Sequence, residues 1–323
     1  MLLAGDVGGT KTLLGLFSRA PNRPVPVAVE TFATPDYDGL VPMIRDFLRR
    51  QPGGEPPIDA ACFGVAGPVL DDAATLTNVP WRVDGRAVAV AFGLARVRLV
   101  NDLVAIAHSI PVLEPDELHV LQEGTVNLAG NAALLAAGTG MGQSFLFNDG
   151  RRLVPAPSEA GHADFAARTP REWQLVEWLT RRYGRAEVEM VVSGIGLTNL
   201  YYFTHSDAPC VPLDTTEPGD LPRIASEKAR ARTCVRCIEV MDLFVSAYGA
   251  EAGNLAIRTV ATRGLYIAGG IAQKNLDLLS TPKFLDAFRA KGTMEDLARS
   301  IPVRIILNPH AGLLGAATVA NRI

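Results

Sequence analysis

The chain has 323 residues, 48% hydrophobic and 20% charged, and its 31 Lys and Arg against 34 Asp and Glu leave a net charge of −3. That length predicts two domains with sizeable cores rather than one. The near-balance of charge excludes the basic face that nucleic-acid binding needs, and no run reaches the ~18 apolar residues of a membrane-spanning helix.

The first residues carry neither a basic region nor a small-residue cleavage site, so no signal peptide is expected. Apolar Leu2, Leu3 and Ala4 lead to Asp6, then to a Gly8-Gly9-Thr10 turn, then to a second apolar run through Leu16 and Phe17. Paired glycines supply the φ angles of a tight turn, so the segment predicts a β-hairpin. Its bare turn offers backbone N–H groups to phosphate oxygens, and the alternative is an ordinary hairpin with a solvated acid. Residues 27–32 predict a third strand, and residues 40–50 a helix with Leu40, Met43, Ile44, Phe47 and Leu48 on one stripe. Residues 60–65 read as a buried strand and 96–100 as another, ending at Asn101-Asp102; a helix over 103–110 stops before Pro111.

The opening design recurs further on. Apolar residues 133–137, the turn Gly138-Thr139-Gly140-Met141-Gly142 and apolar residues 144–147 repeat strand, glycine turn and strand. The GxGxG spacing followed by a strand excludes a dinucleotide fingerprint, and no GxxxxGK[ST] occurs. Residues 237–260 carry apolar side chains at intervals of three and four, with Gly249 and Gly253 allowing close packing. A short strand at 265–268 precedes Gly269-Gly270 and a helix; a strand at 303–307 and an alanine-rich helix from Gly312 follow.

Four cysteines (Cys62, Cys210, Cys234, Cys237) in a chain this long point to a reducing, cytoplasmic setting. Cys234-x-x-Cys237 has two special readings, a redox pair or half of a zinc site with Cys210 and His205. The helical pattern around it, with no preceding strand and no second CxxC, favours ordinary buried thiols instead.

Two strand–glycine–strand units and a strand–Gly-Gly–helix unit predict an α/β protein of the actin-like ATPase fold: two ribonuclease-H-like domains with five-stranded mixed sheets flanking a cleft. The expected division is residues 1–111, completed by about 308–323, and residues 112–307. Further segments narrow this: Thr77-Asn78-x-x-Trp81, Leu99-Val100-Asn101-Asp102, Ser158-Glu159-Ala160-Gly161-His162, Glu187-Val188-Glu189, and the closing Asn308-Pro309-x-x-Gly312. In this order, with GDVGGTK, GTGMG and IAGGI, they resemble the bacterial glucokinase family of ATP-dependent sugar kinases nearly end to end.

The resemblance implies phosphorylation of glucose by ATP, with Asp102 as the base for the attacking hydroxyl. It implies that Asn78, Asn101, Asp102, Glu159, His162 and Glu189 line the sugar pocket. Asp6, Gly8, Gly9 and Thr10, then Gly138, Thr139 and Gly140, would hold the phosphates, and Gly269 and Gly270 would lie against the adenosine. Mg2+ would arrive with the nucleotide, Asp6 reaching it through water, and the resemblance suggests a homodimer. Carboxylates and amides suit the paired donors and acceptors of a hexose. Asn101 and Asp102 are also good N-caps, a role compatible with catalysis; outside the motifs, His162 reads as a packed histidine and Glu189 as a solvated one. Lys11 stands where close relatives often carry Asn and either touches phosphate or points to solvent, and Ala160 stands where Gly is usual. The cysteine-rich zinc motif of the broader repressor–kinase relatives is absent, so no metal site is expected. A kinase for another hexose and a non-catalytic sugar sensor remain open, as do donors other than ATP.

Overall fold

The computed structural model describes every residue except Thr77, Asn78 and Asp207, so the Asn78 assignment lies outside the described residues. The chain forms two compact units: residues 1–117, 154–157 and 308–323, and residues 118–153 and 158–307.

In the first unit, β1 (Leu2–Val7) and β2 (Lys11–Ser18) form the predicted hairpin, with Asp6 opposite Leu13 and Val7 opposite Thr12. Strand β3 (Val25–Ala33) extends it antiparallel. Helix α1 (Leu40–Arg49) buries Leu40, Met43, Ile44, Phe47 and Leu48, the stripe read from the sequence. Strand β4 (Ala60–Val65) pairs parallel to the other edge of β1. A small ribbon, β5 (Ala73–Thr75) with β6 (Arg82–Asp84), leads into α2 (Gly85–Phe92). Strand β7 (Val97–Asn101) then runs parallel to β4 and passes directly into α3 (Asp102–Ser109). The sheet order is β3-β2-β1-β4-β7.

The second unit repeats the plan. Strands β9 (Ala132–Ala137) and β10 (Met141–Asn148) make the second glycine hairpin, and β12 (Gly264–Ala268) and β13 (Val303–Ile306) extend it in parallel. With β8 (Leu118–Gln122) and β11 (Leu153–Ser158) the order is β11-β10-β9-β12-β13-β8, so this sheet has six strands instead of the expected five. The added strand, β8, runs antiparallel to β13 at the sheet edge. Its residues Leu-His-Val-Leu-Gln are mostly half-exposed, so they lack the continuous apolar run that announces a central strand.

Helices α4 (Pro170–Tyr183), α5 (Gly194–Thr204), α6 (Leu221–Arg230) and α7 (Val235–Thr259) form the large core of this unit. Short helices α8 (Gly270–Lys274), α9 (Leu276–Leu279), α10 (Pro282–Arg289) and α11 (Glu295–Ser300) follow. The chain then returns to the first unit with α12 (Ala311–Arg322), which buries Leu313, Ala316, Ala317 and Ala320 against Leu2, Ala4, Phe17 and Ala60 of the sheet. No described helix is long and apolar enough to cross a membrane.

Gly249 and Gly253 of α7 face α10. A Cβ on Gly249 would fall 2.1 Å from the Phe284 carbonyl oxygen, and one on Gly253 would fall 2.3 Å from that of Phe288. Alanine gains about 1 kcal/mol of helix propensity over glycine, but here the obstacle is backbone, and forcing α10 outward costs about 1–3 kcal/mol or more. Gly249→Ala is therefore expected to lower the thermal unfolding midpoint, measured by calorimetry, where propensity alone would raise it.

Candidate active site

The parallel strands and glycine turns deliver the site residues. In the first unit, Asp6 lies near the carboxyl end of β1, two residues before the Gly8 turn. The Gly8 N–H donates to the Lys11 carbonyl at 3.1 Å, closing that turn. Thr34 braces it, with its hydroxyl donating to the Gly8 carbonyl at 2.8 Å and lying 2.8 Å from the Thr12 hydroxyl. Thr34 was invisible in the sequence, because only strand pairing brings it beside the turn. Gly8 and Gly9 stay half-exposed and Thr10 exposed, so the turn is open to a ligand.

Asn101 and Asp102 sit at the junction of β7 and α3. The Asn101 side-chain oxygen accepts from Leu103 N at 3.0 Å and Val104 N at 3.3 Å, and its amide donates to the Gly67 carbonyl at 3.2 Å. Asn101 is thus the N-cap of α3. Asp102, the first residue of the helix, accepts from Leu103 N at 2.9 Å. The cap fixes both the helix start and the aim of the carboxylate beside it.

Burial pushes the Asp6 carboxyl up to about 6, the charge of Asp102 adding to the rise and that of Lys11 opposing it. Lys11 is exposed and acts on the site through this charge. At the start of α12, Gly312 lies so close that a Cβ would fall 2.6 Å from Asp6 Oδ2, which places the Asn308-Pro309-x-x-Gly312 segment against the acid. Two carboxylates sharing a largely buried corner favour a cation there, and this donor set suits Mg2+, a hard ion bound through carboxylate oxygen and water.

In the second unit, two segments run antiparallel: Val188 N donates to the Ala163 carbonyl and Glu189 N to the Gly161 carbonyl, both at 2.9 Å. Their pairing brings His162 to Glu187, the imidazole Nδ1–H donating to Glu187 Oε2 at 2.8 Å. Arg185 holds the other Glu187 oxygen at 3.2 Å and the His162 carbonyl at 2.9 Å. The hydrogen bond to Glu187 holds the His162 pKa above its ordinary value; burial opposes it, and the charge of Glu189 supports it. His162 is 57% exposed and oriented by an acid, unlike a packed core histidine. Glu187 and Arg185 were not singled out from sequence, since only the antiparallel pairing reveals their role. Glu159 is exposed just before this turn, and Ala160 avoids positive φ, so a side chain there is unstrained. Glu189 accepts from Met141 N at 2.7 Å and so ties this segment to the glycine turn.

That turn is held from both sides: Gly138 N donates to Gly140 O at 2.8 Å, and the first residues of α5, Gly194 and Ile195, donate to the carbonyls of Gly138 and Thr139. Beside it opens a cavity of about 500 Å³, within the range of small-molecule sites, lined by Gly138, Thr139, Gly194, Arg223, Gly270 and Lys274 among others. The predicted Gly138, Thr139 and Gly270 therefore meet at one cavity; Gly140 and Gly269 are adjacent in sequence but do not line it. Arg223 of α6 and Lys274 of α8 add positive charge that no motif announced. The cysteines, expected as ordinary buried thiols, are all free, but only two of them are buried. Cys62 and Cys237 are buried, Cys210 and Cys234 are half-buried, and the last three converge with His205.

A doubled ribonuclease-H-like sheet with a glycine hairpin in each unit is the actin-like ATPase fold, which sugar kinases share. The sequence profile described as Glucokinase matches residues 3–323, and the chain belongs to the glucokinase family. It is 39% identical to the glucokinase of Synechocystis sp., over 98% of this chain and 97% of that one. The crystal structure of a glucokinase from an Antarctic psychrotroph superposes with a TM-score of 0.88 at 28% identity, covering 100% of this chain and 99% of the other. The fold is also that of a ROK family glucokinase from Streptomyces griseus, solved with glucose and AMPPNP, at a TM-score of 0.63 and 20% identity over 100% and 99% of the two chains.

The folded-state pKa of Asp6, about 6, exceeds its unfolded value near 3.8, so the ligand-free fold loses stability as pH rises from about 4 to 6. Asp6→Asn removes that ionised group. It is expected to raise the thermal midpoint of the ligand-free protein at pH 8, by an amount corresponding to about 1–3 kcal/mol, and to leave it nearly unchanged at about pH 3, below the unfolded pKa. Melting curves at the two pH values check this.

Proposed function

We propose that this chain phosphorylates D-glucose with ATP, giving glucose 6-phosphate and ADP, with Asp102 as the general base. What carries the reading is the full-length match to glucokinases, joined to a carboxylate set at the head of a capped helix next to a second buried acid. Phosphoryl transfer through a loose transition state leaves the proton on the attacking oxygen until late. A correctly aimed carboxylate then suffices, and the Asn101 cap supplies the aim.

Glu159, His162 and Glu189 answer the sugar hydroxyls, His162 through the ring nitrogen opposite its Glu187 bond. The bond to Glu187 fixes the imidazole plane and keeps a proton on Nδ1. Asn101 and Asn78 join the same set on the strength of the family motifs. Gly8, Gly9 and Thr10, and separately Gly138, Thr139 and Gly140, receive phosphate oxygens on backbone N–H groups. Gly269 and Gly270 accept the adenosine, with Arg223 and Lys274 lining the adjoining cavity. Asp6 holds Mg2+ through water, and the ion, when bound, neutralises charge developing on the phosphates. The free cysteines support a cytoplasmic setting, and the family resemblance supports a homodimer.

A coupled assay for sugar phosphate over a panel of hexoses with ATP tests the substrate. Glucose is expected to give the highest kcat/KM; preference for mannose, fructose or an N-acetylated amino sugar would reassign the chain within its family, and no turnover with any sugar would leave a sensor. Asp102→Ala is expected to lower kcat by about 10²–10⁴-fold, with glucose affinity by calorimetry held within a few-fold. Near-normal kcat in that variant removes Asp102 as the base.

A further inference from the structure

The side chains of His205, Cys210, Cys234 and Cys237 present four ligand atoms within 4.8 Å of one another. They come from three separate segments of the second unit: His205 directly follows α5, Cys210 lies in the loop leading to α6, and Cys234 and Cys237 sit at the start of α7. A helical setting weighed against metal binding in the sequence. In the structure it helps, because Cys234 is the N-cap and Cys237 lies one turn on, so both sulfurs emerge on the same side.

Three spacings match the edges of a zinc tetrahedron. Cys210 Sγ and Cys237 Sγ are 3.6 Å apart, and His205 Nε2 lies 3.5 Å from Cys234 Sγ and 3.7 Å from Cys237 Sγ. Zinc bonds of about 2.3 Å to sulfur and 2.0–2.1 Å to nitrogen, at tetrahedral angles, separate sulfurs by about 3.8 Å and sulfur from nitrogen by about 3.6 Å. A disulfide would need about 2.05 Å, and all four cysteines are free.

The surroundings match as well. His205 Nδ1 lies 3.0 Å from the Tyr201 carbonyl, which fixes the tautomer and directs Nε2 to the sulfurs. The Tyr201 ring stacks on the imidazole at 3.9 Å, and its hydroxyl lies 3.4 Å from Cys210 Sγ. Three thiolates and a neutral imidazole around a dication carry one net negative charge, and Arg236 lies near enough for its charge to act on His205.

We propose that His205, Cys210, Cys234 and Cys237 bind one structural Zn2+. Thiolate-rich ligation selects zinc over Mg2+, and four protein ligands leave no open position for catalysis. This is a different set from the cysteine-rich motif that the sequence lacks. Zinc binding displaces the thiol protons to solvent and ties the loop after α5 to the start of α7. The opposite end of α5 holds the Gly138 turn, so the metal anchors the helix that buttresses the proposed phosphate loop.

The full chain, purified without chelator or added metal, is expected to hold about one zinc per chain by elemental analysis. X-ray absorption should fit three sulfurs at about 2.3 Å and one nitrogen at about 2.0–2.1 Å. Cys210→Ser and Cys234→Ser each alter the half-buried rim and are expected to lower zinc content at least several-fold, with a lower thermal midpoint. Zinc below about a tenth per chain that does not rise on dialysis against Zn2+, unchanged content in both variants, an oxygen-dominated absorption fit, or a Cys210–Cys237 disulfide found by mass spectrometry would each overturn the site. None of these readouts depends on kinase activity, so the proposal stands or falls apart from the assigned reaction.

Discussion

Each unit depends on one strand paired antiparallel along one edge and parallel along the other. β1 is almost wholly buried between β2 and β4, and β9 is wholly buried between β10 and β12. The antiparallel neighbour forces the chain to reverse within three residues, and a turn that short favours glycine. The parallel neighbours force helical crossovers, so their carboxyl ends emerge at the same edge as the turn. Asp6, the Gly8 turn and Asn101-Asp102 therefore share one end of the first sheet, and the Gly138 turn and Gly269-Gly270 share one end of the second.

This geometry creates an electrostatic problem in the first unit. Asp6 comes to rest largely buried beside Asp102, and burial outweighs the relief from exposed Lys11. A few kcal/mol matters against the total stability of a domain, so the ligand-free site is held together by the fold around it. The Asn101 cap and the tight seat of Gly312 show how: the backbone positions the acids before any ligand arrives.

Legibility in the sequence followed the range of the interaction. The two hairpins, the α1 stripe and the helix after Asn101-Asp102 could be read because apolar period and turn chemistry are local. The edge strand β8 was missed because half-exposed polar positions carry no such signal. Thr34, Arg223 and Lys274 were missed for a different reason: each reaches its place through tertiary structure, and none belongs to a motif, while Glu187 lay beside Glu189 in a family-like segment but meets His162 only through strand pairing. The cysteines are the sharpest case. Cys234 and Cys237 with Cys210 and His205 formed one reading of the sequence, set aside for the helical pattern around the pair, and only the packing of α5 against α7 brings all four together.

The return of the chain to its first unit has a consequence for synthesis. One face of the first sheet, including Leu2, Ala4, Phe17 and Ala60, is covered by α12. During translation β1, β2, β4 and β7 leave the ribosome long before that helix exists, and the whole second unit emerges in between. The second unit can fold first, while the earlier half waits with an uncovered apolar surface, the reverse of the usual N-terminal-first order. A nascent chain stalled before residue 311 presents that surface to chaperones, and the emergence of α12 closes it.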